Sequence, residues 1–143
     1  MSITYYSHTD GIKLLAKMLY DEKLTPIIGA GFTRNCSSKK ATVPDGNQAT
    51  EIMKKMINEI RQINLSSADF NKISERFFSI VPKEKQWDFF ETYFTQVTLP
   101  EYLSAFLALP WAYIYTLNVD DGIERTGLYT PVLPYQDANV PNR

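Results

Sequence analysis

The sequence contains only one cysteine, Cys36, and one histidine, His8, among its 143 residues. A single cysteine excludes a disulfide within the chain and any metal site built from several thiolates. We therefore expect no metal, and such low cysteine content suits a reducing cytoplasm. Because no histidine lies near Cys36 in sequence, we interpret it as a small buried side chain, not a reactive thiol.

The chain also lacks an excess of charge of one sign and any long apolar run. Its formal net charge is -1, so no overall field draws it to nucleic acid or to an anionic membrane. No apolar run approaches the roughly 20 residues that span a bilayer. The N-terminus has neither the basic nor the apolar region of a signal peptide. We expect a cytoplasmic protein whose segment here contacts neither nucleic acid nor membrane.

Hydrophobic residues make up 44% of the chain, and their spacing predicts a mainly helical domain. The first helix is expected to be capped at Thr9-Asp10 and to end near Asp21. The next amphipathic helix is predicted from Ala49 to Ile63. The apolar residues expected to face inward from these two helices are Ile12, Leu14, Leu15, Met18, Leu19, Ile52, Met53, Met56, Ile57 and Ile60.

Three more helices are predicted in the second half of the chain. Capping boxes are expected at Ser66 and Thr98, and Pro82 and Pro110 are expected to end helical segments. Inward-facing residues are expected to include Phe70, Ile73, Phe77, Phe78, Trp87, Phe90, Tyr93, Phe94, Tyr102, Leu103, Phe106 and Leu107. Aromatic residues at helical spacing are interpreted as core, although a partner interface is an alternative.

Strands are predicted at residues 24–28 and 111–117, with a further short strand near Tyr129–Leu133. Strands separated by helices predict an α/β fold with a Rossmann-like parallel sheet. We expect a helical insertion at residues 48–110, between the first two strands. A doubly wound sheet needs more strands than these, so we expect residues 1–143 to form a single, incomplete domain.

Within this domain we distinguish three parts. The first part, 1–47, holds an N-terminal helix, a strand and the Gly loop, which is Gly29-Ala30-Gly31. The second part, 48–110, is the helical insertion. The third part, 111–143, holds a second strand, a polar turn and a tail.

The sequence Gly29-Ala30-Gly31 directly follows the first predicted strand. Small residues there let the backbone turn sharply and leave room for a phosphate-bearing ligand. A helix beginning near Thr33 would direct its free N–H groups to the same place. Arg34 is suited to pair with a phosphate or, alternatively, with a surface carboxylate. The dehydrogenase fingerprint and the P-loop are both incomplete, so a tight turn without a ligand is the alternative.

A second polar turn, Asn118-Val119-Asp120, follows the second predicted strand. Asn118 carries a donor and an acceptor, suited to a ribose hydroxyl or a water. Asp120 can accept from a ribose hydroxyl or favour a cationic centre, or it can cap a helix, a role that Asp121 also suits. In a parallel sheet, ligands lie beyond the carboxyl ends of the strands, so we expect the two turns to form one site.

Taken together, these motifs resemble the sirtuin-type NAD-binding domain, in particular the sirtuin-like domains of bacterial antiphage defence proteins. Residues 29–35 resemble the family's opening GAG-x-S/T loop, and Val43-Pro44-Asp45 resembles its I/V-P-D element. Residues 116–120 are similar to its T-x-N-x-D strand end, and Ile123-Glu124 extends the match to the bacterial branch.

The resemblance implies that NAD is the substrate and that its nicotinamide–ribose bond is broken by water, which releases nicotinamide and ADP-ribose. It assigns catalysis to Asn118 and Asp120. It also implies a homo-oligomer, or a fused or associated sensor domain. The residues that it assigns to NAD binding are Gly29, Ala30, Gly31, Phe32, Thr33, Arg34 and Asp45.

The chain departs from the family at several points. His8 precedes the first strand and does not match the family's catalytic histidine, so we expect that base beyond Arg143 and expect this segment alone to be inactive. The zinc-binding cysteines of deacetylase sirtuins are absent, which favours NAD hydrolysis over protein deacylation. A non-catalytic module that binds NAD or ADP-ribose, and a helical interaction domain, are the alternatives.

Overall fold

A parallel pair of short strands forms the sheet of the computed structural model, which describes residues 4–65 and 69–132. Strand β1 is Ile27–Ile28 and strand β2 is Tyr115–Thr116, with Ile27 opposite Tyr115. The backbone pairing begins earlier, where the Ala112 N–H donates to the Leu24 carbonyl at 2.9 Å. Over the described residues the fold is therefore α/β, with five α-helices and this parallel sheet. Helices α2 to α5 lie between the two strands in the chain, as the sequence predicts.

Helix α1 is His8–Tyr20 and is capped by Ser7, not by Thr9-Asp10 as predicted. The Ser7 hydroxyl oxygen accepts a hydrogen bond from the Asp10 N–H at 3.2 Å, which satisfies one free donor of the first turn. The helix ends before Asp21, as expected. The prediction that the apolar face of α1 lies in the core is wrong, because no residue of α1 is buried and Ile12 is 54% exposed.

Helix α2 is Gly46–Ile60, so it begins and ends three residues before the predicted bounds. Asp45 decides where it begins. Its carboxylate accepts from the Gln48 N–H at 2.9 Å, and the Gln48 side chain accepts from the Asp45 N–H at 2.9 Å. Such a reciprocal pair satisfies two backbone donors at once, which stabilises this start over one at Ala49.

Helix α3 is Phe70–Ile80, and Asp69 caps it by accepting from the Lys72 N–H at 2.9 Å. The capping box predicted from Ser66 falls on residues outside the described part of the chain. Ile73 and Phe77 are fully buried, as predicted. Phe70 and Phe78 are more than half exposed, so the prediction that they face inward is wrong: the buried stripe follows the i, i+4 pair 73 and 77.

Helix α4 is Lys83–Phe94 and begins after Pro82, at the break that this proline predicts. Phe89, which the predicted aromatic stripe omits, is the buried residue of α4, whereas Trp87 is 73% exposed. The rings of Phe89 and Phe77 lie 5.3 Å apart and tie α4 to α3.

Helix α5 is Glu101–Leu107, and the capping box predicted at Thr98 is not formed. Pro100 occupies the cap position without a side-chain hydrogen bond, and Thr98 instead donates its N–H to the Ser37 carbonyl at 2.9 Å. Leu107 is buried, whereas Tyr102 is 71% exposed.

After β2 the chain forms a short 3₁₀ helix, Glu124–Thr126. The strand predicted near Tyr129–Leu133 is not formed over its described part, which ends at Val132.

The buried apolar residues form three clusters. The largest joins α2, α3 and α4, and the second packs beneath the sheet. The third lies between the Gly loop and the end of α4 and is here called the loop cluster. Their buried members are, in that order, Ala49, Met53, Ile57, Leu65, Ile73, Phe77, Val81 and Phe89; Ile28, Leu107 and Ile123; and Cys36, Val43 and Val97.

One face of the sheet is left uncovered by the described residues. Ile27, Tyr115 and Leu117 are 76%, 64% and 79% exposed, and their positions place them on the same side. Among the helices of the described residues, none has both the length and the apolar character to cross a membrane.

Candidate functional site

The two polar turns lie side by side at one edge of the sheet. Because β1 and β2 are parallel, their carboxyl ends share this edge, and the Leu117 N–H donates to the Ile28 carbonyl at 2.9 Å. Gly29 continues from β1, and Asn118 follows Leu117. The predicted juxtaposition of the two turns is therefore present.

The Gly loop continues as two turns, and the helix expected near Thr33 is not formed. The Phe32 N–H donates to the Gly29 carbonyl at 2.9 Å, and the Cys36 N–H donates to the Thr33 carbonyl at 3.0 Å. At Asn35 the backbone enters the left-handed region, with φ of 63°. A left-handed residue ends the right-handed turn, so no helix dipole points at the loop.

Gly29 and Gly31 are exposed, and the fold itself does not require glycine at either position. Neither has a positive φ, and a Cβ built on either would meet no described atom within 4 Å. Ala30 between them is also exposed. The loop thus presents main chain that a ligand can approach closely.

A buried hydrogen-bonded chain joins the two turns through Thr33. The fully buried Thr33 hydroxyl donates to Asp120 Oδ2 at 2.6 Å. The Asn118 side-chain amide donates from Nδ2 to Thr33 Oγ1 at 3.2 Å. Three of the residues predicted for the site are therefore brought into direct contact.

The polarity of this chain sets the orientation of the Asn118 amide. A hydroxyl has one proton to give, and that of Thr33 goes to the Asp120 carboxylate. The Thr33 oxygen is then an acceptor and must face the Asn118 NH₂ group. Asn118 Oδ1 is left buried and has no hydrogen-bond partner within the described residues. An unsatisfied buried carbonyl costs about 1–3 kcal/mol of folding free energy.

Asp120 is 6% exposed, and its second oxygen accepts from the Gly122 N–H at 3.0 Å. Gly122 is required by close packing, because a Cβ there would lie 2.9 Å from Asp120 Oδ1 and 3.0 Å from Val97 Cγ1. The short 3₁₀ helix has no side-chain cap, so the alternative that Asp120 or Asp121 caps it is wrong.

Three other residues predicted to bind the ligand, Phe32, Arg34 and Asp45, are not part of the hydrogen-bonded chain through Thr33. Arg34 Nε is 3.6 Å from Asp45 Oδ2, so Arg34 pairs with a surface carboxylate, one of its two predicted partners. The Phe32 ring lies 5.7 Å from the Phe106 ring and packs on the cluster beneath the sheet. Direct contact of Arg34, Asp45 or Phe32 with a nucleotide stays a prediction.

Cys36 is buried in the loop cluster, as predicted. Burial raises the pKa of its thiol above the ordinary value, and the nearby Asp120 charge raises it further. A thiol held in its neutral form is a poor nucleophile, which agrees with a structural role for Cys36.

Two further residues shape the second turn in ways that the sequence did not predict: Gly122 leaves space for the Asp120 carboxylate, and Asp121 binds backbone donors and does not cap a helix. The Asp121 carboxylate accepts from the backbone N–H groups of Gln96 and Val97. Two consecutive acids followed by glycine are a signal of such a turn, but their partners lie 24 and 25 residues away in sequence.

Comparisons of the chain with protein-family models, with curated proteins and with solved structures give no match in any of the three.

Proposed function

We propose that this chain binds NAD at its two polar turns and that the intact protein hydrolyses NAD to nicotinamide and ADP-ribose. The observation that carries the proposal is the Asn118–Thr33–Asp120 chain, which joins the Gly loop to the second turn and leaves Asn118 Oδ1 without a donor. Since the free group is an acceptor, its ligand must present a donor, such as a ribose hydroxyl or a water.

The Gly loop supports the phosphate half of the proposal. Gly29 and Gly31 are open to solvent, and neither has a positive φ that only glycine would tolerate. A pyrophosphate can therefore approach their main chain. Arg34 lies at the end of this loop, and its exposed pair with Asp45 is weak enough for a phosphate to compete for the guanidinium. The Rossmann-like arrangement that the sequence predicts would place the ligand at this edge of the sheet.

In the proposed reaction the bond between ribose C1′ and the nicotinamide nitrogen breaks, and its electron pair leaves with nicotinamide. The water oxygen bonds to C1′ and gives its proton to a general base. Asn118 would orient a ribose hydroxyl or the water through Oδ1, while the buried Asp120 carboxylate would favour positive charge developing nearby. Thr33 would hold both side chains in place.

Among residues 4–65 and 69–132, no histidine lies in either turn to act as the general base. His8 is exposed at the first position of α1 and remote in sequence from both turns. We therefore propose binding for this chain and hydrolysis for the protein with the segment or subunit that carries the base. The family resemblance extends the proposal to NAD depletion in antiphage defence, by a homo-oligomer or with a sensor domain.

The position of His8 also favours a second candidate function, a regulatory module that binds NAD or ADP-ribose without cleaving it. Turnover distinguishes the two. Nicotinamide release by the intact protein is measured by chromatography, with and without extract of phage-infected cells. The comparison uses wild type, Asn118→Ala and the control Asn47→Ala, which removes an exposed amide on α2.

Hydrolysis predicts nicotinamide release by wild type and Asn47→Ala, and its loss in Asn118→Ala. Binding of NAD without release under any condition would instead favour the regulatory module. Release that survives in Asn118→Ala would remove Asn118 from the mechanism.

A further inference from the structure

Asp121 joins the second turn to the segment that follows α4. Its two carboxylate oxygens accept from consecutive backbone donors, Gln96 N–H at 2.8 Å and Val97 N–H at 2.9 Å. Its own N–H donates to the Phe94 carbonyl at 3.1 Å. Three hydrogen bonds therefore fix residue 121 to residues 94–97.

The position of this carboxylate is unusual for a helix end. Acids are unfavourable near a helix C-terminus, where the dipole is negative, and α4 ends at Phe94. Gln96 resolves the conflict by adopting a left-handed conformation, with φ of 56°. A left-handed residue there allows successive N–H groups to converge on one anion. The turn thus forms a carboxylate-binding nest at the cost of a strained residue.

Residues 91–98, here called the strut, also hold the continuation of the Gly loop. The Lys39 N–H donates to the Thr95 carbonyl at 2.8 Å, and the Ser38 hydroxyl donates to the Thr92 carbonyl at 2.8 Å. The Lys39 side chain pairs with Glu91 and lowers the pKa of that carboxyl by hydrogen bonding and charge. The strut therefore contacts the extensions of both turns.

We propose that Asp121 is a positioning residue, which clamps the second turn to the strut and thereby sets Asn118 against Thr33. The Asn118 Nδ2–Thr33 Oγ1 distance of 3.2 Å is at the upper end of the usual hydrogen-bond range, so a displacement of either turn would weaken this hydrogen bond. The expected effect of Asp121 on NAD binding rests on the proposed function. The expected effect of Asp121 on the position of the Asn118 side chain does not.

The test compares Asp121→Ala with Asp69→Ala in the full chain. Both changes delete a carboxylate that accepts from backbone N–H, but Asp69 caps α3 at the distant helical cluster. Asp121→Asn is the second variant, since it keeps one acceptor oxygen and stays informative if Asp121→Ala does not fold. Nuclear magnetic resonance follows the Asn118 side-chain amide and the exchange rates of the Gln96 and Val97 amides.

In Asp121→Ala we expect at least about tenfold faster exchange at Gln96 and Val97, from loss of local protection. We also expect the Asn118 side-chain signal to shift toward that of a free amide, with a smaller shift in Asp121→Asn. Asp69→Ala should leave the Asn118 signal in place. An unshifted Asn118 signal in both Asp121 variants would overturn the proposal and leave Asp121 a purely structural residue.

Measurement of NAD binding by the same variants separates the positioning role of Asp121 from the proposed function. If wild type binds NAD, we expect about tenfold weaker binding in Asp121→Ala and unchanged binding in Asp69→Ala. If wild type binds no NAD, the proposed function fails, while the Asn118 signal still decides the positioning role. Unchanged NAD affinity in Asp121→Ala would overturn the role of Asp121 in the site.

Discussion

The Thr33 hydroxyl and the Asp120 carboxylate are 87 residues apart in the chain and form a buried hydrogen bond of 2.6 Å. This bond joins the end of the Gly loop to the turn after β2. It also makes the Thr33 oxygen the acceptor for Asn118, so one hydroxyl fixes two side chains of the candidate site.

Substitution of Thr33 tests this relationship. Thr33→Val keeps the shape of the side chain but leaves the Asp120 carboxylate without its donor, at a cost of about 1–3 kcal/mol in the free energy of unfolding. Thr33→Ser keeps the hydroxyl and should retain most of that stability. Urea denaturation of the three proteins measures the difference. A larger loss in Thr33→Ser than in Thr33→Val would show that the methyl group, not the hydroxyl, matters most at this position.

Two glycine substitutions are expected to separate folding from binding. Gly122→Ala places a Cβ 2.9 Å from Asp120 Oδ1, so we expect a loss of about 1–3 kcal/mol in unfolding free energy from overpacking. Gly31→Ala meets open space and has no positive φ to lose, so its stability should stay within about 0.5 kcal/mol of wild type.

The proposed phosphate contact predicts that Gly31→Ala nevertheless weakens NAD binding, measured by calorimetric titration. Unchanged NAD affinity in this well-folded variant would separate the Gly loop from the ligand site.

Neighbouring phenylalanines of α3 provide a test of the core assignment. Phe77 is fully buried, so Phe77→Ala should destabilise the protein by about 3–5 kcal/mol. Phe78 is 55% exposed and stacks on Phe90, so Phe78→Ala should cost about 1 kcal/mol or less. Thermal and urea unfolding give both values. A larger loss for Phe78 than for Phe77 would contradict the packing described for α3.

Cys36 predicts a dependence of stability on alkaline pH. Its pKa is raised in the folded state, so the folded protein holds this proton more tightly than the unfolded chain does. The resulting stabilisation is complete below the ordinary thiol pKa and is lost as the pH rises through the raised pKa. The difference in unfolding free energy between wild type and Cys36→Ala should shrink across this range. A constant difference would show that the Cys36 thiol titrates normally.

The order and approximate positions of the helices, and the presence of the two strands, followed from local patterns in the sequence. Ile52, Met53, Met56 and Ile57 repeat at helical spacing, and the apolar residues around Ile28 predict a buried strand. Helix starts were less predictable, because several polar residues compete to cap each one. Asp45 with Gln48 defines the start of α2, whereas Thr98 is drawn away from α5 by pairing with Ser37.

The candidate site was predictable in outline only. Parallel strands bring their carboxyl ends to one edge, so the meeting of the two turns could be inferred from their order. The Thr33 bond to Asp120 and the Asp121 bonds to residues 96 and 97 depend on long-range placement of the backbone. No local pattern encodes such contacts. Residue 96 adopts a left-handed conformation, with φ of 56°, but it is a glutamine, and no glycine at this position indicates that conformation in the sequence.

The most direct test of the proposed nucleotide site is a titration of the ¹⁵N-labelled chain with NAD, followed by nuclear magnetic resonance. We expect the backbone signals of Gly29 and Gly31 and the side-chain amide signal of Asn118 to shift together, with one dissociation constant. Asn118→Ala should weaken that binding, and Asn47→Ala should not. Absence of shifts at both turns, or shifts confined to the helical cluster, would contradict the claim that the two turns form one nucleotide site.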